Sequence, residues 1–207
     1  GVELAIDEND DIYLAGEFLG DLPFSGTTAT NSNSISTTDI FIAKANTNNA
    51  GWEWMTTIGG TGNENVLSLT ARNGNLYLAG DFDISLISGN TTLQTPTSEA
   101  FIAKYDLLGN PEFLRQIEGG FGSRVNGIIA DDNESLYATG LFLGQAIFDL
   151  DTLNSSSNTD VFITKLSCLP LPVRELIGDS VTCLSQKTYT IPIDPGPGTT
   201  YNWTLSG

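Results

Sequence analysis

The sequence predicts an all-β protein built on a tandem repeat, and three recurring phrases carry that expectation. The first reads Asp11-Ile-Tyr-Leu-Ala-Gly-Glu-Phe18, then Asn75-Leu-Tyr-Leu-Ala-Gly-Asp-Phe82, then Ser135-Leu-Tyr-Ala-Thr-Gly-Leu-Phe142. A second phrase follows each copy: Asp39-Ile-Phe-Ile-Ala-Lys44, Glu99-Ala-Phe-Ile-Ala-Lys104 and Asp160-Val-Phe-Ile-Thr-Lys165. A third occurs twice, as Ile58-Gly-Gly-Thr-Gly62 and Ile117-Glu-Gly-Gly-Phe-Gly122. Self-similarity at a fixed period indicates stacked copies of one supersecondary unit.

Each unit reads as strands. Val66 to Ala71 alternates apolar and polar residues, and Val125 to Ala130 does so more loosely. Turn residues follow, as Asn73-Gly74-Asn75, Asp10-Asp11 or Asp132-Asn133-Glu134, and they predict a hairpin into the first phrase. The second phrase places apolar residues on both faces, as a buried strand does. The last strand is Trp52 to Ile58 or Phe113 to Ile117. Four main strands with glycine at both ends and no helical period describe one blade of a β-propeller. The spans are about 1–62, 63–122 and 123–167, hereafter units 1, 2 and 3.

Spacing shows where the units differ. Gly60 to Gly80 and Gly120 to Gly140 are both 20 residues, and Lys44 to Gly60 and Lys104 to Gly120 are both 16. The interval between phrases one and two varies instead: Phe18 to Asp39 is 21, Phe82 to Glu99 is 17 and Phe142 to Asp160 is 18. Length variation is therefore confined to 19–38, 83–98 and 143–159. These are expected to be loops on a common face, with Phe24 or Ile147-Phe148 as a short extra strand. Unit 3 lacks the Trp-type last strand, and Val2 to Ile6 stands where the first strand of a blade belongs. Three blades do not close a ring of four to eight, so the chain is expected to be a fragment with further blades before Gly1.

Composition narrows the function classes. Eight Lys and Arg against 25 Asp and Glu give a formal charge of −17, which disfavours a phosphate backbone as partner. There is no histidine, so the commonest general acid-base group and neutral metal ligand is missing. The only cysteines are Cys168 and Cys183, too few for a Cys-rich zinc site. No apolar run is long enough for a transmembrane helix.

The order Asn-x-Tyr-x-x-Gly-x-Phe, then Asp-x-Phe-x-x-Lys, then Trp with Gly-Gly-x-Gly resembles the β-propeller repeats of bacterial cell-surface proteins known as SBBP repeats. Glu99 departs from the usual Asp, and Ser135 from the turn Asn. After Leu166 the composition shifts. Cys168-Leu-Pro-Leu-Pro172 opens a stiff Pro-rich linker, 168–176. The segment 177–207, with Ile177-Gly178, Val181-Thr-Cys183, Tyr189-Thr-Ile191 and Tyr201-Asn-Trp203, is similar to the first strands of a PKD-like, immunoglobulin-type domain. About seven strands make such a sandwich, so a partial, truncated one is expected.

Those resemblances imply an exported, Bacteroidetes-like protein, secreted by the type IX route to the cell surface or extracellular space. They imply adhesion or binding without catalysis, through a protein or glycan ligand held by 19–38, 83–98 and 143–159. The alternative is a structural subunit of an extracellular filament that self-associates through exposed strand edges. A third reading is a propeller-type hydrolase, for which Asp81 and Asp83 would be a carboxylate pair.

Individual candidates each have a simpler reading. Asp7, Asn9 and Asp11 alternate as calcium-loop oxygen ligands do, yet unit 2 has Ala71-Arg72-Asn73-Gly74 at that place, so a turn explains them as well. The Gly60-Thr-Gly62 run lacks the following helix of a phosphate loop and reads as a turn between units. The tyrosines 13, 77 and 137, the phenylalanines 41, 101 and 162, and Trp54 suit a sugar-stacking surface or a core, and their identity across units favours the core. In an exported protein Cys168 and Cys183 favour a disulfide, either with each other or, as in the resembled domain, with a later cysteine. Asn90, Asn133, Asn154 and Asn202 begin N-glycan patterns. Thr152 and Ser180 lie in the Asp-Ser/Thr-apolar pattern of O-glycan acceptors in Bacteroidetes exported proteins.

Overall fold

The computed structural model describes residues 2–24, 27–32, 36–46, 51–119, 121–133, 135–148, 151–155 and 158–166, with the short strands Lys187–Thr190 and Asn202–Leu205. Every regular element among the described residues is a strand. In unit 1, β1 (Val2–Ile6) and β2 (Ile12–Phe18) form a hairpin, β3 (Asp21–Phe24) and β4 (Thr27–Thr30) a second one, and β5 (Asp39–Asn46) and β6 (Gly51–Ile58) complete a sheet of order β1-β2-β5-β6. Unit 2 repeats this with β7 (Glu64–Arg72), β8 (Asn75–Phe82), the hairpin β9 (Ser85–Ser88) and β10 (Thr91–Gln94), then β11 (Glu99–Asp106) and β12 (Pro111–Gly119). In unit 3, β13 (Ser123–Ala130), β14 (Leu136–Phe142) and β17 (Asp160–Leu166) form a three-stranded sheet, with β15 (Gln145–Phe148) and β16 (Asp151–Asn154) as its hairpin. The last pair, β18 (Lys187–Thr190) and β19 (Asn202–Leu205), is antiparallel. Apart from it, the linker and the expected sandwich lie outside the described residues. Among the described residues none of the sheets closes into a barrel.

The recurring phrases are cross-strand partners. Tyr13 lies opposite Lys44, Tyr77 opposite Lys104 and Tyr137 opposite Lys165. Each ammonium sits over its ring, at 5.9, 5.9 and 5.2 Å from the centroid. The glycine of phrase one answers a bulge in the first strand of units 2 and 3. A Cβ on Gly80 would come within 1.8 Å of the Asn65 carbonyl oxygen, and one on Gly140 within 2.0 Å of that of Arg124. Only a residue without a side chain lets the bulged backbone approach so closely.

The first hairpin turn uses two chemistries. In unit 2 the two-residue Asn73-Gly74 turn has positive φ at both positions, 51° and 75°, as a type I′ turn requires. In units 1 and 3 a carboxylate makes the turn. Asp7 Oδ1 accepts from the amides of Asn9 and Asp11, and Asp131 Oδ1 from those of Asn133 and Ser135. The turns are tied together across units. Arg72 pairs with Glu8 and Asp132, and the Asn73 amide donates to Glu8 Oε1 at 2.9 Å.

The sheets stack face to face, so unit 2 is covered on both sides. Along β8, Leu76, Leu78 and Phe82 face unit 1, while Tyr77 and Ala79 face unit 3. This explains why phrase one is apolar at consecutive positions where a half-exposed strand would alternate. Two cores result. Tyr13, Ile40, Ile42 and Ile58 of unit 1 pack against Val66, Leu78 and Phe101 of unit 2. Ala100, Ile102 and Ile117 of unit 2 pack against Val125, Ile128 and Phe162 of unit 3.

The variable segments are not plain loops: each contains a two-stranded hairpin. In units 2 and 3 that hairpin also latches onto the preceding unit. Ile87 in β9 exchanges main-chain hydrogen bonds with Gly59, the residue just after β6, and β15 pairs with β12 through Ile147 opposite Glu118 and Ala146 opposite Gly119. The expectation of one short strand missed the second arm because its residues, such as Thr91-Thr-Leu-Gln94, are mostly polar and exposed.

Candidate functional site

Strand alternation turns Asp81, near the end of β8, toward unit 3, where it enters a cleft of about 340 Å³ at the seam between units 2 and 3. Ser98, Phe121, Arg124, Leu143 and Thr159 line it together with Asp81. Main-chain bonds pin the rim. Ser123 N donates to Ser98 O at 3.0 Å, Phe121 N to Leu143 O at 3.1 Å and Leu143 N to Gly122 O at 2.9 Å. Gly122 has φ 135°, a conformation that favours glycine. With the backbone fixed, the Phe121 ring is left 74% exposed.

The cleft is polar on its floor. Asn65 Nδ2 donates to Asp81 Oδ2 at 2.9 Å and Ser98 Oγ to the same oxygen at 3.4 Å. Burial pushes the Asp81 carboxyl above its ordinary value, and the charge of Asp83 adds to this; the Asn65 and Ser98 bonds and the Arg124 guanidinium pull the other way. A cation, a carboxyl group and an exposed ring thus converge on one opening.

The seam between units 1 and 2 is filled differently. Glu17 occupies the place of Asp81, and its Oε1 accepts from the Val66 amide at 3.0 Å. Deeper in, Asp39 at the start of β5 and Glu64 at the start of β7 are both buried, at 1% and 0% exposure. Asp39 Oδ2 accepts from the Ser32 amide at 2.7 Å and its hydroxyl at 2.8 Å. Burial first, and then the Asp39 charge, push the Glu64 carboxyl up to about 9, against the Gly60 amide, which lowers it. At the second seam Glu99 replaces Asp39 and Ser123 replaces Glu64. The Ser123 hydroxyl donates to Glu99 Oε2 at 2.6 Å and accepts from the Ala100 amide at 2.9 Å.

The sequence candidates fall as follows. Both Asp7 oxygens are engaged, Oδ1 by the turn amides and Oδ2 by the Tyr13 hydroxyl at 3.2 Å; Asp11 pairs with Lys44 at 2.8 Å, and Asn9 is exposed. Among the described residues no group of three or more His, Cys, Asp or Glu side chains could hold a metal ion. Gly60 and Gly62 lie against main-chain oxygens of Ser85 and Asp83, where a Cβ would come within 1.9 and 2.1 Å, so this run forms a packed turn. Tyr13, Tyr77, Phe101 and Phe162 are buried, while Phe41, Trp54 and Tyr137 are half-buried. Trp54 reaches out of its own unit, donating from Nε1 to Leu107 O at 3.1 Å. Thr152 is exposed on β16, as are Asn90, Asn133 and Asn154. Cys168, Cys183 and Ser180 lie outside the described residues. Among the described residues no helix is long and apolar enough to cross a membrane.

Sequence reasoning missed the seam residues Glu64 and Ser123 and the cleft residues Phe121 and Arg124. One signal was present: Phe121 replaces Thr61 inside the third phrase, a large ring where a turn needs none. No protein-family model and no curated protein matches the chain.

Proposed function

We propose that the chain is a non-enzymatic binding module of an exported or cell-surface protein, with β-propeller-type units, and that the unit 2–unit 3 cleft holds a protein or glycan ligand. The observation that carries this reading is the exposed Phe121 ring beside Arg124, Asp81 and Ser98. An aromatic face stacks on the apolar side of a sugar ring or a planar side chain, and the polar groups take up its hydroxyls or charge. Among the described residues Asp81 is the single carboxylate lining the cleft, whereas glycoside hydrolysis uses two.

The propeller-type reading is supported by the repeated meander and by the way the sheets meet: the first strand of each later unit packs across the face of the unit before it, and the inner turns are tied through Arg72. The SBBP-like phrases, the PKD-like segment 177–207 and the acidic surface support an adhesive role outside the cell, reached by the type IX route in a Bacteroidetes-like organism. Exposed Thr152 is available there as a glycan acceptor.

The test is a glycan and peptide array with the full chain, followed by titration calorimetry of the strongest ligand against Phe121→Ala and Arg124→Ala. Each substitution is expected to weaken binding by about tenfold or more while leaving the thermal midpoint unchanged. Binding that survives both substitutions would place the ligand elsewhere and refute the assignment.

A further inference from the structure

The cleft between units 2 and 3 departs from the seam between units 1 and 2 at two positions that bear on its ligand. By strand register Arg124 in β13 stands where Asn65 stands in β7. Asn65 lies opposite Asp81 and donates to it, whereas Arg124 lies opposite Leu141, whose side chain offers no acceptor. In the third phrase Phe121 stands where the earlier copy has Thr61, whose hydroxyl bonds to that of Ser85. The earlier seam spends both side chains on its own contacts. The later one turns a cation and a ring toward an opening.

Arg124 also stands apart from the other cations. Carboxyl side chains outnumber Lys and Arg by 25 to eight, and Lys44, Arg72 and Lys104 each hold a carboxylate in an ion pair. The Arg124 side chain is exposed and has no ion pair or hydrogen bond among the described residues, although Asp81 lines the same cleft. A guanidinium without an acceptor suits a planar anion, which it meets with two parallel N–H donors. The net charge of −17 disfavours a densely charged polyanion. One guanidinium balances one carboxylate.

The rim favours a sugar over a peptide. The amides of Ser123, Phe121 and Leu143 already donate to the carbonyl oxygens of Ser98, Leu143 and Gly122. An extended peptide therefore finds these rim amides taken and gains no strand-like pairing from them. A volume of about 340 Å³ suits a small ring system. We infer that the ligand is a glycan bearing a carboxylate, a uronic or sialic acid residue, whose acid group Arg124 holds while its ring lies on Phe121. Asp81 and Ser98 then bond to the ring hydroxyls. This inference rests on the binding role proposed above and narrows its ligand to one class.

Ligand-observed NMR and titration calorimetry of the full chain test this with the methyl glycosides of glucuronic, galacturonic, mannuronic and sialic acid. Each is paired with its carboxyl-reduced neutral form, and an oligoglutamate peptide is run beside them. At least one acidic glycoside is expected to bind about tenfold tighter than its neutral form, or more. Arg124→Gln should abolish that preference and leave the neutral form's affinity at the parent level, and Arg124→Lys should restore only part of it. Phe121→Ala should weaken both forms alike. Equal binding of acidic and neutral forms, a preference that survives Arg124→Gln, or no binding of any acidic glycoside at millimolar concentration would each overturn the inference. So would binding of the peptide alone. The binding role itself is decided separately: it stands if any ligand, neutral glycan or peptide included, is weakened by Phe121→Ala, and falls if none is.

Discussion

Replacing Glu64 by Gln should stabilise the protein at neutral pH, and the gain should disappear in acid. Glu64 has no exposed surface and faces Asp39 across the seam between units 1 and 2. Its carboxyl is pushed from an ordinary 4.5 up to about 9. A raised carboxyl pKa means that the folded chain holds a proton which the unfolded chain releases. The native state is therefore favoured most below about pH 4.5 and loses that advantage as pH rises toward 9. Between those limits the slope is about 1.4 kcal/mol per pH unit, so at pH 7 the burden is about 3 kcal/mol. Relaxation of the buried site and water penetration reduce this to about 2 kcal/mol. The amide keeps the shape and removes the titration. Urea unfolding of parent and variant from about pH 4.5 to about pH 8 would show a difference that grows with pH, because contributions from the other carboxyl groups cancel between the two chains. A variant less stable than the parent throughout, or a difference that does not change with pH, would refute the reasoning.

Two alanine substitutions contrast a glycine that recurs in every unit, Gly80, with one confined to the unit 2 turn, Gly74. Gly80→Ala places a Cβ 1.8 Å from the Asn65 carbonyl oxygen and is expected to cost about 3 kcal/mol, since the bulge must open to admit it. Gly74→Ala meets no atom within 4 Å and costs only the strain of its positive φ, about 1 kcal/mol. Equal shifts in the urea midpoint of the two variants would contradict this assignment.

The strand content was legible because each phrase combines dense apolar residues with fixed turn positions. Pairing of Tyr77 with Lys104 was not drawn from the repeats, although both residues recur in every unit, because strand register is a tertiary property. Phrase one reads as packing in the sequence because its residues recur where the packing recurs. The seams were illegible for the opposite reason: Glu64 and Ser123 occupy one structural position with different chemistry, and only the stacked sheets show their shared role against Asp39 and Glu99. Asp7 illustrates a degenerate signal. Acceptors at alternate positions serve a cation or a turn's own amides, and the turn amides and the Tyr13 hydroxyl bond to the Asp7 oxygens. The hairpin arms escaped notice because four-residue strands rich in Ser and Thr resemble loops in composition. The arms pair within their own hairpins, and only the contacts of β9 and β15 with the preceding unit lie beyond the reach of a local pattern.

The central claim is that equivalent strands differ only in how many neighbouring sheets cover them. Hydrogen exchange of the phrase-one strands measures this directly, because β2, β8 and β14 share a sequence pattern and a place in their sheets. The account predicts slowest exchange in β8, whose faces are both covered, and faster exchange in β2 and β14, each covered on one face. Equal rates in the three strands, or fastest exchange in β8, would contradict the stacked arrangement.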